Sequence, residues 1–560
     1  MVDRLITELQ MIRDKTAEFS GLTTRMKTDN DLRNLVKVPM KTLDGSADAP
    51  KVANVTLPDP ALIMAKTIAQ LIGAERQPVV EGSGLSDAAT TIIENFIEDM
   101  EFEIDNLLNE KGEFPSQSFH ADTACSRGRV AEQILTRVVD GVYLPDVRPL
   151  DTLYFKYELG ARGMLWGSVE SVRSKANIND SYPEAKFVGK EGTVQDFWNK
   201  KENIIYIDDK EVRRLPIKGV LGYDLGKPPF ILQVVPAGSV LKDKDNLKHT
   251  GESIYEMLRG VFPEKNFLAS TFKTHTYGLF EPAVQIYDKE HGAGATPPDE
   301  YVGSPGSQTM VDAPGAIQPV STPDIKRSTM QYLQMVNDEI DKAGYSSMDF
   351  GQPEWPLSFI AMAKLAKNKG ELLLPRLQAL TLLAQARYRM IIEQFLLINE
   401  TLELGELGHR RKYSPEQLRG AYTIKFHFFT TSKEEMAVNS TIAEAIRKDV
   451  SSDYIRREIY KLSNPDGERT KQRAEQAEQL DPAILLFNQG HSLIDAGRDI
   501  EAELVLQRLE SMLRQRRIPV FQGQVEGEPK APERTVGKQL MPLFSGGGGG
   551  RGTPPTEGEE

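Results

Sequence analysis

The chain has 560 residues, with 81 Asp and Glu against 68 Lys and Arg, a formal charge of −13. That length exceeds a single hydrophobic core and calls for several domains. The sign of the charge disfavours tight non-specific binding to DNA or anionic membranes, which rests on neutralising phosphates. A single cysteine, Cys125, excludes an intramolecular disulfide framework and fits a reducing compartment. The most apolar stretch, Leu372 to Ala386, is interrupted by Pro375, Arg376 and Gln378 and is too short to span a membrane.

Met1 to Phe19 mixes Asp3, Arg4, Glu8, Arg13 and Asp14 with apolar residues, which predicts an amphipathic helix and not a signal peptide. Ala61–Ile72 and Ala88–Leu108 repeat apolar residues at helical spacing, the second behind the cap Ser86-Asp87. Ser126–Arg137 reads as more of the same helical pattern. From Val142 to Val235 the character changes to short β-type runs, Thr152–Tyr157, Asn203–Ile207 and Pro229–Val235, with one helix expected around Tyr182–Val188. The expected class is α+β, mainly α.

His249–Phe272 returns to helix, bent or divided by Gly260 and Pro263. Tyr277–Thr322 is rich in Gly and Pro and acidic, with Glu281, Asp288, Glu290, Asp299, Glu300 and Asp312 against Lys289 alone. Two readings stand, an extended surface loop or a small projecting subdomain. Phe280, Val284, Ile286 and Tyr287 favour the subdomain, because a disordered loop has no need of them.

A helix from about Asp324 to Lys342 follows, with Ile325, Met330, Leu333, Val336 and Ile340 at helical spacing, Pro323 at its start and Gly344 at its end. A much longer one is expected from Ser358 to Leu404, kinked where Gly370 weakens a turn and Pro375 removes a backbone bond. Between the two lies Tyr345–Leu357, with Phe350 and Trp355 amid Gly351, Pro353 and Pro356. Tyr422–Phe429 alternates as a strand does, and residues 433–518 read as helical, with start signals at Asn464-Pro465 and Asp481-Pro482. Beyond residue 518, and above all from Gln522, Gly, Pro and Glu dominate and a disordered tail is expected.

No chemistry emerges from the motifs. Gly303–Thr309 lacks the lysine of a phosphate-binding loop, and the seven histidines show no metal-ligand spacing. His120 and Cys125 stand five residues apart with no third group to orient them, and the tetrapeptide Ser270–Lys273 stands without the companion motifs of Ser–Lys acylases. No catalytic, cofactor-binding or metal-binding residue is expected.

The order of parts is more telling. A mixed domain is followed by Gly251-Glu-Ser253 and a helix, a Gly/Pro-rich excursion, a second helix, a short loop, a very long helix and a helical C-terminal region. This order resembles the portal proteins of tailed double-stranded DNA bacteriophages. Pro145–Asp151, Leu165-Trp-Gly167 and Ser174–Pro183 resemble the portal N-terminal region, Tyr345–Leu374 the tunnel loop and the start of the long helix, and Ser452–Glu458 with Asn464-Pro-Asp466 a late portal segment.

The resemblance implies a wing from residues 1–248 and 358–432, stem helices at 249–272 and 323–344, and a clip at 273–322. It further implies a tunnel loop at 345–357, a crown at 433–518 and a tail at 519–560. Portals form dodecameric rings at one capsid vertex, so the implied partners are further copies of the chain, passing double-stranded DNA held weakly and without sequence preference, the terminase motor, the major capsid and scaffolding proteins, and the tail adaptor. No cofactor and no membrane is implied, and the implied location is the virion after assembly in the host cytoplasm.

Met348, Asp349, Phe350, Gln352, Glu354 and Trp355 would form the constriction, Lys326 and Arg327 a basic ring in the stem, and Asp288, Glu290, Asp299 and Glu300 the clip's docking surface. A ring-forming head–tail connector without a DNA channel, or a cytoplasmic assembly scaffold, is the alternative reading.

Overall fold

The computed structural model describes residues 2–41, 53–82, 85–139, 142–241, 243–280, 284–287, 308–311, 327–342, 359–406, 408–429, 443–460, 480–495 and 499–516, with a few further positions between 440 and 476. The fold is mixed, 53% helix against 23% strand, with open sheets. It divides into two compact units, Met1–Lys471 and Gln472–Glu560.

The first unit opens with helices α1 (Val2–Glu18) and α2 (Ser20–Arg33), then α3 (Asp59–Ile72), strand β1 (Glu75–Glu81), α4 (Asp87–Glu110) and α5 (Ser116–Ser126). Ser86 caps α4, its Oγ accepting from the Ala89 amide at 3.3 Å. The expected continuation of helix to Arg137 is wrong. The chain turns at Gly128 and runs as strand β2 (Arg129–Val139). This strand lies between β3 (Val142–Leu150) and β9 (Phe230–Val234), antiparallel to both, and Arg129 to Thr136 are buried without a break. A strand covered on both faces loses the alternation that marks a half-exposed one, so its spacing was readable as helix.

A second sheet is a five-stranded antiparallel meander, β4 (Phe155–Gly160), β5 (Gly163–Ser174), β6 (Glu191–Asn199), β7 (Glu202–Ile207) and β8 (Lys210–Pro216). Helix α1 lies on it, with Ile12 joining Trp166, Phe197, Ile204 and Tyr206 in one cluster. The helix expected at 182–188 falls earlier, as α6 (Lys175–Ser181), with only a 3-10 turn at Pro183–Ala185 inside the expected span. Pro183 disfavours helix in the residue ahead of it, and Tyr182 is extended at φ −138°. After α7 (Ile217–Leu221) and β9 come α8 (Val261–Phe280), a short parallel pair β10 (Val284–Tyr287) and β11 (Gln308–Val311), and α9 (Arg327–Lys342).

Helix α10 (Phe359–Ile398) is 40 residues long and helical through both Gly370 and Pro375. It stops short of the expected Leu404 because Asn399 turns left-handed at φ +57°, and Leu402–Leu404 becomes strand β12, paired with β13 (Arg411–Tyr413). Past α11 (Pro415–Leu418), strand β14 (Thr423–Phe429) pairs antiparallel with β1. Helix α10 packs across β2, β9 and β14, and its Leu380, Leu383, Ile391 and Phe395 fill the main core together with Phe96, Ile104 and Ile134.

Of the expected helical region, Ser452–Ile459 forms a short stretch with Ser451 accepting from the Tyr454 amide at 3.2 Å. In the second unit α12 (Pro482–Asp495) and α13 (Asp499–Arg516) form a hairpin, and Asp481 Oδ1 accepts from the Ala483 amide at 2.9 Å as the sequence signal predicts. Asn464-Pro465 and the tail lie outside the described residues.

Candidate functional site: a helix pair and an anchored long helix

Helices α8 and α9 pack against each other. The expected helix at 249–272 is shifted: residues 244–249 form 3-10 turns, and α8 begins only after Gly260. Pro263 is therefore the third helical residue, in the first turn, where its missing N–H breaks no bond.

The approach to α8 is fixed by a buried ion network. Arg259 Nε and Nη2 donate to Asp29 at 2.7 and 3.1 Å, and Nη2 also to Glu252 at 2.6 Å. Arg25 donates to the carbonyls of Lys248, Arg127 and Gly251 at 2.7, 2.9 and 2.8 Å. Burial alone would raise the Glu252 pKa, but Arg259, Arg25 and His249 outweigh it and hold the carboxyl below its usual range. Gly251 and Gly128 sit back to back, both at positive φ, and a Cβ on Gly128 would lie 2.0 Å from the Gly251 carbonyl oxygen. No other residue type fits there.

An extended segment runs along α8. The amides of Ala53, Val55 and Leu57 donate to Thr274 Oγ1, Ser270 Oγ and Asn266 Oδ1, each at 2.9 Å. Every second residue of the strap thus meets every fourth residue of the helix. The match is geometric, since two extended residues and one helical turn both advance ~6 Å.

Of the expected α9 stripe, Leu333, Val336 and Ile340 are turned inward, whereas Met330 is exposed and Ile325 lies outside the described residues. Exposed apolar side chains flank that stripe among polar ones: Tyr332 (39% exposed) and Met335 (56%) beside Glu339 on one side, Met330 (55%) beside Asn337 and Asp341 on the other. Gln331, Gln334 and Asp338 occupy the face opposite the buried stripe. On α8, Phe267 is 50% exposed.

Helix α10 is held to the sheet by a second buried network. Arg387 Nε donates to Glu132 Oε2 on β2 at 3.0 Å and Nη1 to Glu101 Oε2 on α4 at 3.1 Å, and a further bond joins Arg387 to Glu132 Oε1. Arg76 on β1 donates to Glu101 at 2.6 Å, the Tyr388 hydroxyl also donates to Glu101, and His120 Nε2 lies 2.5 Å from Glu132. Burial would raise the pKa of Glu132, yet Arg387 and His120 hold it down at about 2. Glu101 is likewise held well below the carboxylate range against its burial, by Arg76 and Arg387. Two carboxylates and two guanidinium groups balance in one network, fully buried at Glu132 and Arg387 and partly exposed at Glu101 and Arg76, which joins α4, α5, β1, β2 and α10.

Among the described residues no group of His, Cys, Asp and Glu is placed to hold a metal ion. The His120–Cys125 pair does not assemble as a dyad: His120 is engaged with Glu132, and burial pushes the Cys125 thiol up to about 12 in spite of the Arg376 guanidinium beside it. Ser270 of the SxxK tetrapeptide serves the strap.

The residues implied for the constriction, Met348, Asp349, Phe350, Gln352, Glu354 and Trp355, lie outside the described residues, as do Lys326 and the clip carboxylates Asp288, Glu290, Asp299 and Glu300. Arg327 opens α9, and Gly370 and Pro375 lie within α10. The sequence reading missed both ion networks and the strap. Only Gly251-Glu-Ser253 pointed near one of them.

Compared with known proteins, the chain matches no family model and no curated protein sequence. No helix among the described residues is long and apolar enough to cross a membrane.

Proposed function

We propose that the chain is a portal protein of a tailed double-stranded DNA bacteriophage, forming a ring-shaped channel at one capsid vertex through which DNA is packaged and ejected. The observation that carries this reading is α9, a helix with a buried stripe and open apolar side chains on both of its flanks. In a closed ring each copy touches two neighbours through two different surfaces. Tyr332 and Met335 would meet one neighbour and Met330 the other. The remaining face, with Gln331, Gln334 and Asp338, would look into the channel. Amides and a carboxylate hold phosphates weakly, which suits DNA that must slide.

The order of parts supports the same reading. Helices α8 and α9 take the stem, the segment between them the clip that docks the terminase motor and later the tail adaptor, and α10 with the sheets the wing. The helical C-terminal region takes the crown. Major capsid and scaffolding proteins surround the ring, and the virion is its final location.

Electron microscopy of the purified full-length chain tests this. Rings of about twelve copies with an open axial channel are expected, and Tyr332→Glu with Met335→Glu should abolish them while leaving the circular dichroism spectrum unchanged. A wild-type monomer, or an open filament or dimer of the kind a scaffold would form, overturns the proposal.

A further inference from the structure

The layer on α10 has a gap. Among the described residues strand β9 pairs only with β2 and β14 only with β1, so each presents an edge that none of them covers, and both strands pack on the same long helix. Between them lies a cavity of about 530 Å³, lined by Gln233 of β9, by Thr423 and Ile424 of β14, and by α10. The helix contributes one stripe, from Leu382 through Ala386, Arg389 and Glu393 to Leu396. That stripe is ~21 Å long, the length of a strand of about six residues.

Apolar side chains make most of the floor, and one cation stands in its middle. Arg389 is exposed and makes no ion pair or hydrogen bond with any described residue, whereas Glu393 one turn on is held by Lys227.

We infer that this groove accepts an extended segment of a second copy of the chain as an added strand, with a carboxylate of that segment on Arg389. The inference rests on the ring reading above. Free strand edges beside an apolar floor are surfaces that folded proteins cover. In a head-to-tail ring every copy can fill its neighbour's groove, and neither of these two edges is left open. Charge selects the occupant as well: a chain with 81 acidic residues against 68 basic ones supplies the carboxylate that Arg389, unpaired among the described residues, calls for. Backbone bonds along the two edges would give the contact its strength, and the apolar stripe its register.

Hydrogen exchange of the full-length chain, assembled and dissociated, tests the inference at the amides of Phe230–Val234 and Thr423–Phe429. Assembly should slow the edge amides of both strands by about a hundredfold. Arg389→Glu should raise the concentration needed for assembly by about tenfold, and Arg389→Lys should leave it nearly unchanged. Rings whose edge amides exchange as fast as in the dissociated chain overturn the added strand and leave the ring reading standing. Edges already protected in the dissociated chain mean that the chain fills its own groove, and the inference fails. A chain that never assembles removes both.

Discussion

The Val55 amide donates to Ser270 Oγ at 2.9 Å, and the same hydroxyl donates to the Asn266 carbonyl at 2.7 Å. A serine inside a helix thereby becomes the middle rung of a ladder that holds an extended segment to it. Thr274 repeats the arrangement one turn on, accepting from Ala53 and donating to the Ser270 carbonyl at 2.7 Å. Side chains that usually weaken a helix by bonding back to it are here used for docking.

Ser270→Ala should therefore loosen the strap without disturbing α8. Leaving the Val55 amide without its partner costs about 1–3 kcal/mol. Faster hydrogen exchange at Val55 and Leu57, with unchanged exchange in Val261–Phe280, is the expected result. Equal slowing or equal loss in both segments would mean that strap and helix open together.

The anchor of α10 makes a prediction about pH. The folded pKa of Glu132, about 2, lies below its ordinary value of 4.5, so the group stabilises the folded state fully above that ordinary value. The contribution is lost as pH falls from 4.5 through about 2. Urea titrations across that range should show stability falling with acid, less steeply in Glu132→Gln. Arg387→Met, which leaves the buried Glu132 with His120 alone and Glu101 with Arg76, should cost about 3–5 kcal/mol at neutral pH. A pH dependence identical in wild type and Glu132→Gln would exclude Glu132 as a source of the acid sensitivity.

Under the portal reading the acidic excursion between α8 and α9 meets a basic partner. Replacing Asp288, Glu290, Asp299 and Glu300 by their amides should weaken docking of the packaging motor at low salt and leave ring assembly intact. Motor binding measured by surface plasmon resonance at two ionic strengths checks this. Unchanged binding at low salt would remove electrostatics from the docking step.

The loop between α9 and α10 bears on channel width under the same reading. Deletion of Met348–Glu354 should leave the ring symmetry unchanged, widen the bore, and impair packaging or retention of DNA. Cryo-electron microscopy of the deleted ring with a packaging assay decides it, and an unaltered bore or normal DNA retention would place the constriction elsewhere.

The sequence by itself determined the elements whose signals are local. The Ser86 cap of α4, the Asp481-Pro482 start of α12, the alternation of β14 and the stripe Leu333, Val336 and Ile340 on α9 all depend on neighbours within one or two turns, and each is legible in the order of residues. Of the candidate site, the helix pair and the long helix were legible for the same reason, although Asn399 ended α10 earlier than its composition suggests.

What only the tertiary structure decided is everything that depends on distant partners. Arg129–Thr136 is a strand and not a helix because it pairs with β3 and β9, and burial of both its faces erases the alternation. Glu132 and Arg387 are separated by 255 positions, and each reads in isolation as an ordinary surface charge. Burial makes a charge affordable only beside its opposite, and no local pattern announces a partner that the chain reaches by folding back across two sheets. The edges of β9 and β14 left uncovered among the described residues belong to the same class, because an edge exists only once the rest of the sheet is in place.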